Sequence, residues 1–424
     1  MKKVVGVLLK SITGIALISG LVYLGAIVYR AAAKPRAGSA EAILEEADQK
    51  AWSNNWEGAA PLYRKAELLF MPQHDNSKAL YARVSQVPIL MEVSSLPDQI
   101  WRLSQDLTLP EAQDEETRLR ILTVRGMFEV NYDAATARNT WQMVGTLARK
   151  RHHYLLASRA SGEQGIAAAL LGDVATAKSQ VLIAWGFAKT FRDKAAIVRY
   201  ASVYGNGLVE IVHKYAEALG PLDQAIRLAK SIPGGPYPSI AVNSKVEALA
   251  GLGRYPEALV LAEEALAHAE HQQAKGKLYQ ILETRADVYQ QLGRWRDAIA
   301  DDVRAARYAR DLTYWRGLTQ VAGPLARAYE HEGDLRNALT TIDDGLRANS
   351  QIRDELWFVP KNLAIKAEIE TKLGKTKLSN DLYQKSTELI DSLLATAPTP
   401  NVERLLITEA VLPQRRMLPR NSCH

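Results

Sequence analysis

Gly293-Arg294-Trp295-Arg296-Asp297-Ala298-Ile299 is one copy of a phrase that this chain repeats. One step upstream it reads Gly253-Arg254-Tyr255-Pro256-Glu257-Ala258-Leu259, and before that His213-Lys214-Tyr215-Ala216-Glu217-Ala218-Leu219. Downstream it returns as Gly333-Asp334-Leu335-Arg336-Asn337-Ala338-Leu339. With Val130, Gly172, His213, Gly253, Gly293, Gly333 and Gly374 as anchors, the steps are 42, 41, 40, 40, 40 and 41 residues. A fixed period of this length marks a stack of equivalent units, each burying its apolar face on the next.

The interior of each unit follows from the spacing. Five of the seven anchors are Gly, which suits the end of a helix where a left-handed backbone turns the chain. Five residues after the anchor stands a small side chain: Ala135, Ala177, Ala218, Ala258, Ala298, Ala338 and Ser379. Seven further on the position is again mostly small, as at Ala184, Ala225, Ala265, Ala305, Gly345 and Ser386, with Gln142 the exception. Seven residues is two helical turns within about 20°, so both small residues share one stripe. Ala177, Ala218, Ala258, Ala298 and Ala338 are therefore expected where the two helices of a hairpin touch. An aromatic two places after the anchor (Tyr132, Tyr215, Tyr255, Trp295) fills the wedge at the turn. From Glu41 to about Ala395 the pattern is helical nearly throughout, without alternating strand-like runs.

Arg285-Ala286-Asp287-Val288-Tyr289-Gln290-Gln291-Leu292-Gly293, followed by Trp295, Ala298 and Ala305, resembles a tetratricopeptide (TPR) repeat. Ala326, Tyr329, Gly333 and Ala338 repeat the match. The period exceeds the usual TPR length and the terminal Pro is missing, as in the longer-helix variants of the family. The resemblance implies an all-α, right-handed solenoid of helical hairpins. It covers residues 111–395, with a unit around 42–70 marked by Trp56, Ala59 and Ala66. Within the degenerate region 41–110, Pro88, Pro97 and Pro110 interrupt the pattern. Residues 396–424 read as a capping helix (401–412) and tail.

The start of the chain departs from the array. Residues 1–10 are short and basic, and Ser11–Tyr29 is a run of 19 residues without charge. As a helix it spans about 28 Å, close to the ~30 Å hydrocarbon core of a bilayer. A transmembrane anchor is the expectation, preferred to a cleaved signal peptide because signal cores are shorter, about 7–15 residues. Lys2, Lys3 and Lys10 before the span are matched by Arg30, Lys34 and Arg36 after it. The signal-like start tips the orientation towards a body outside the cytoplasm, on a plasma or inner membrane. Residues 30–40 form a linker containing Pro35 and Gly38.

Composition excludes some classes. The 424-residue chain is 47% hydrophobic and 24% charged, as in folded proteins. Its net charge is +6, but no sustained basic block follows residue 40, which argues against nucleic acid as a partner. The single cysteine, Cys423, precludes an intrachain disulfide.

No catalytic or cofactor motif is complete. Gly374-Lys375-Thr376 lacks the upstream Gly of a phosphate loop, since Ile369 stands there. His331-Glu332 lacks the second His of a zinc helix, with Leu335 in its place. His268 and His271 share a helix face with no third ligand, and read as solvated. His152 and His153 are neighbours that a helix would splay by about 100°. Gly205-Asn206-Gly207 meets Glu210 where a dinucleotide fingerprint needs Gly. No enzyme, cofactor or metal is expected.

In TPR-like arrays the first helix of each pair lines the concave surface. Carrying that stripe onto this chain gives Asn243, Glu247, Gln280, Glu283, Asp287, Gln290, Gln320, Arg327, Glu330, Lys361 and Glu368. The set is polar and rich in amides and acids, and lacks the Lys and Asn cluster of a carboxylate clamp. It fits an extended or helical protein segment with some basic character. The expectation is a membrane-tethered scaffold for a protein or peptide partner. The rival expectations are a sensor module closing on a peptide or small ligand, and a secreted soluble form.

Overall fold

In a computed structural model, the chain is described at residue 36, residues 38–352 and residues 358–396. The predicted anchor at 11–29 and the helix at 401–412 lie outside the described residues. Among those described, no helix is long and apolar enough to cross a membrane.

Every regular element described is helical. In chain order these are α1 (Ala40–Trp52), α2 (Trp56–Phe70), α3 (Asn76–Val84), α4 (Leu96–Asp106), α5 (Glu115–Glu129) and α6 (Ala134–Lys150). The array continues with α7 (Tyr154–Leu170), α8 (Val174–Thr190), α9 (Lys194–Glu210), α10 (Tyr215–Ala229), α11 (Ser239–Gly251) and α12 (Tyr255–His271). It ends with α13 (Lys275–Gln291), α14 (Trp295–Asp311), α15 (Trp315–His331), α16 (Leu335–Asn349), α17 (Val359–Lys372) and α18 (Thr376–Thr396). The starts of α10, α12, α14 and α16, at Tyr215, Tyr255, Trp295 and Leu335, are 40 residues apart.

The turns explain why the helices stop where they do. At Gly253, Gly293 and Gly333 φ is 74°, 71° and 80°, the left-handed region that glycine enters without a Cβ penalty. Arg254 N–H then donates to Leu249 C=O at 2.8 Å, and Arg294 N–H to Tyr289 C=O at 2.8 Å. These bonds reach five residues back and occupy carbonyls the helix end leaves free. The anchor at Val130 is an exception: its φ of −59° is helical, and the chain turns just after it. The turns between hairpins use the same device without glycine, at His152, Arg192, Gln273 and Thr313. His152 and His153 thus lie in a turn and not on the helix that the sequence implied.

Helix starts alternate between two solutions. Asp133, Asp173, Asp193 and Asp334 cap α6, α8, α9 and α16 through side-chain acceptors. Lys214, Arg254 and Arg294 occupy the same place before α10, α12 and α14, and instead pair with Glu217, Glu257 and Asp297 three residues on. An acid in the first turn also suits the positive end of the helix dipole.

Packing gives the small residues their role. Ala218, Ala258, Ala298 and Ala338 have no exposed surface, and Ala177 retains 6%. A Cβ built on Gly345 would stand 2.2 Å from the Ala322 Cβ, so α15 and α16 approach more closely than an alanine there allows. Between hairpins the first helices come close together: α9 to α11, α11 to α13, α13 to α15 and α15 to α17. Second helices of neighbouring hairpins stand farther apart among the described residues. The first helices are therefore the inner layer of a curved stack, and α6, α8, α10, α12, α14 and α16 the outer layer.

The N-terminal region does not simply extend this stack. Pro97 falls in the first turn of α4, and Pro88 and Pro110 open the 3-10 segments Val87–Glu92 and Pro110–Gln113. The segment from Val87 to Leu96 then reaches across to the middle of the array. Lys277 N–H donates to Glu92 Oε2 at 3.0 Å, Leu96 N–H to Leu312 C=O at 3.1 Å, and Thr313 Oγ1 meets Ser95 Oγ at 3.3 Å. Arg316 Nη1 reaches Val130 C=O at 3.0 Å. At the other edge Arg159 donates to Trp52 C=O at 3.0 Å, with its guanidinium 3.6 Å from the Trp52 ring centre. The solenoid thus closes on its own N-terminal hairpin.

Candidate functional site: the inner face

Four carboxylates from three successive inner helices gather on the concave wall. Glu210 ends α9, Glu247 sits on α11, and Glu283 and Asp287 are one turn apart on α13. The Glu210 carboxylate faces Glu247 and disfavours its ionisation. Thr284 Oγ1 approaches Glu247 Oε1 at 3.4 Å. Burial raises Glu247 and Glu283 well above the ordinary carboxylate range, and the neighbouring acids raise them further. Burial also pushes Asp287 up to about 6, with Lys361 of α17 pulling it down and Glu210 pushing it up. Beneath them lies Asp302 of α14, with no exposed surface, raised first by burial and then by Asp287 and Glu283. Gln290 donates to Asp302 Oδ2 at 3.3 Å, while Oδ1 has no hydrogen-bond partner among the described residues.

Such a set is unfavourable by itself. Like charges in a partly desolvated groove repel, so protons are retained to reduce the charge. A cation entering the groove relieves both terms at once, by pairing with the carboxylates and favouring their ionised form. The wall is thus electrostatically favourable to positive charge.

The structure separates the residues expected on the groove. Glu247, Glu283, Asp287 and Lys361 come together. Gln290 turns to Asp302 in its own hairpin, so it is not a free groove side chain. Gln320 accepts a hydrogen bond from Tyr279 at 3.1 Å, and Gln280 is partly buried. Asn243 and Glu330 are buried, at 8% and 9% exposure, which removes them from a docking surface. Glu330 pairs with Lys372 at 2.9 Å, and Arg327 with Glu368 at 3.4 Å, so this end is internally neutralised. The sequence stripe omitted Glu210 and Asp302. Glu210 lies three residues before its anchor, His213, in the register of Gln290 and Glu330. Nothing in the sequence distinguishes Asp302.

His268 also differs from expectation. It is not solvated: its ring stacks on Tyr237 at 4.3 Å, and burial lowers its pKa. His271 remains exposed. His331 stacks on Trp295 at 3.9 Å. Among the described residues no group of His, Cys, Asp and Glu is arranged to hold a metal.

Closure of the solenoid creates a second concavity of about 990 Å³ between α1, α5, α7, α9 and the segment Val87–Glu92. Its arginines are spoken for. Arg159 grips Asp193 in a two-pronged pair, with Nη2 2.6 Å from Oδ1, and Arg199 pairs with Glu163 at 2.8 Å. Arg120 lies beside Tyr63, Tyr81 and Trp56 and bonds Ser85 Oγ at 2.6 Å. Tyr63 and Tyr81 both donate to Asp48 Oδ1, at 2.6 and 3.0 Å. Sequence reasoning missed this chamber because its walls are non-repeating residues brought together over more than a hundred positions.

No protein-family model matches the chain, and no curated protein matches it in sequence. The similarity to known proteins lies in the fold. The crystal structure of a Rap protein complexed with competence and sporulation factor superposes with a TM-score of 0.60 at 15% identity, covering 84% of this chain and 99% of that one. A signal-transduction ATPase with a tetratricopeptide repeat sensor, from Pyrococcus horikoshii, gives a TM-score of 0.47 at 13% identity over 82% of this chain and 55% of that one. Yeast Tom70 gives 0.43 at 13% identity over 95% of each chain. The chain folds as a TPR-like α-solenoid.

Proposed function

We propose that this protein is a non-catalytic, membrane-attached TPR-like scaffold whose concave face binds a protein or peptide segment carrying Lys or Arg. The observation that carries the reading is the set Glu210, Glu247, Glu283 and Asp287, held against their own repulsion on three inner helices. Likeness in fold to a Rap protein solved with competence and sporulation factor is consistent with a solenoid of this shape holding a partner. The uncharged run Ser11–Tyr29 supplies the attachment, with the body on the extracytoplasmic side. A tethered solenoid raises the effective concentration of any partner in the same membrane.

The test is capture from native membranes by the full chain and by Glu283→Lys with Asp287→Lys. The expected result is loss of the partner without a lowered melting temperature. Retention of the partner would overturn it. Attachment is tested separately, by whether the full chain resists extraction with alkaline carbonate.

A second reading, a sensor for a peptide or small ligand, is favoured by the chamber of about 990 Å³ that closes over the N-terminal hairpin. A ligand filling it bridges α1 to α7 and α9, and raises the melting temperature with concentration. A thermal-shift screen with no hit would remove this reading.

A further inference from the structure

The outer layer of the solenoid changes character along its length. From residue 134 to 151, covering α6, the chain has Arg138, Arg149, Lys150 and Arg151 and no acid. Arg138 pairs with Asp173, and Lys150 and Arg151 with Glu115 and Glu116, which leaves Arg149 outside these pairs. From 174 to 192, covering α8, it has Lys178, Lys189 and Arg192 and again no acid. Beyond that point acids return on every outer helix, as with Glu263 and Glu264 on α12 and Asp343 and Asp344 on α16.

The acid-free face is also apolar. Ile183, Phe187 and Phe191 recur at every fourth residue, so they form one stripe along α8 and its end. They are 53%, 47% and 55% exposed, and the two phenylalanine rings stack at 6.1 Å. Leu182 and, on α6, Met143 add to the patch. Gly186 opens the middle of the stripe, with no heavy atom within 4 Å of where its Cβ would stand. Lys189 lies over the Trp185 ring at 3.8 Å, with its ammonium flanking the stripe. Aromatic and branched side chains on one face, flanked by Lys and Arg, are the composition of an interfacial helix.

We propose that the outer face of α6 and α8 is a bilayer-contact surface. Ile183, Phe187 and Phe191 enter the interface of an anionic membrane, and Arg149, Lys178, Lys189 and Arg192 meet its headgroups. Charge complementarity selects the lipid, because a cationic, acid-free patch is attracted to anionic headgroups within a Debye length. Further along, α12 carries Glu257, Glu263, Glu264 and Glu270 with no Lys or Arg and is repelled by the same surface. The helices α14 and α16 balance their acids with arginines, so the net attraction is confined to this part of the array.

The course of the chain brings a membrane to this face. Arg159 bonds both Trp52, at the end of α1, and Asp193, two residues beyond Phe191. At about 1.5 Å per residue, the start of α1 is roughly 20 Å from Trp52. Residues 30–39, which separate Tyr29 from α1, reach at most about 35 Å when extended. A bilayer holding Ser11–Tyr29 therefore lies within reach of α8. The inference rests on the attachment proposed above only for this proximity.

The test uses the full chain with Cys423→Ser and one new cysteine, Ile183→Cys, carrying a fluorophore. A second version carries the label at Val260→Cys, equally exposed on acidic α12. Each is mixed with vesicles containing a nitroxide-labelled lipid, of phosphatidylcholine alone or with phosphatidylserine. The expected result is quenching at 183 in phosphatidylserine vesicles, little in phosphatidylcholine alone, and little at 260. Lys178→Glu with Lys189→Glu should abolish most of the quenching at 183 in phosphatidylserine vesicles, at an unchanged melting temperature. Equal quenching at both sites, or none at 183, would overturn the proposal. So would a change at 183 that depends on protein concentration without vesicles, which points to a second copy on the patch. Flotation in high salt separates the two readings. Chain that stays with vesicles but is unquenched at 183 keeps the anchor and loses the patch. Chain released by salt but quenched in low salt does the reverse.

Discussion

Ala298 and Asp287 lie on the two helices of one hairpin and illustrate what a residue's environment does to it. Ala298 has no exposed surface and is wedged against Ala286, Tyr289 and Leu259, so it has no room to grow. Replacing it with Leu should overpack the hairpin and cost about 1–3 kcal/mol, read as a lower midpoint in a denaturant melt. Asp287 holds its proton up to about 6, where the unfolded chain releases it near the ordinary value of 3.8. The folded state therefore binds more protons between those values, and stability declines as pH rises through that window. Glu247 and Glu283, raised further, extend the decline to higher pH. The melting temperature should fall between about pH 4 and pH 7, by the equivalent of roughly 3 kcal/mol. Glu283→Gln should flatten that slope, and a slope left unchanged would contradict the coupling. Affinity for a cationic segment moves the opposite way, strengthening as pH rises and the wall ionises. The alanine was legible because packing repeats with the unit. The acid's neighbours were legible only in part, since Glu210 shares the register of Gln290 while Asp302 follows no pattern.

At the scale of elements, helix boundaries could be read from the sequence because each has a local chemical cause. Gly293 ends one helix and the Arg294–Asp297 pair opens the next, within five residues. The crossing segment Val87–Leu96 had no such cause. Its prolines were visible as breaks, but its partners, Lys277, Leu312 and Thr313, are about two hundred residues away. Closure at the opposite edge depends on Arg159, which neutralises the 9%-exposed Asp193 while holding Trp52. Arg159→Ala leaves that carboxylate buried without its counterion and should cost about 3 kcal/mol. Amide exchange in α1 and α2 should then quicken more than in α13, because the array beyond α9 keeps its own contacts. Uniform exchange throughout would mean that the N-terminal hairpin is held by other contacts.

For the molecule as a whole, the division of charge is the consequence of stacking. Inner helices converge, so acids three, six and ten residues before the turns are brought into one wall. Outer helices diverge and leave their side chains to solvent. A sequence displays the period that produces this curvature, but not which like-charged residues the curvature will gather. The account stands on the inner carboxylates holding a cationic partner. It is tested most directly by placing a photo-crosslinking residue at Gln280, one turn from Glu283, in the full chain in its native cells. The crosslinked segment is then identified by mass spectrometry. The predicted product is a segment bearing Lys or Arg, lost when Glu283 and Asp287 are changed to Lys. An acidic or uncharged segment, or the same product after charge reversal, would contradict it.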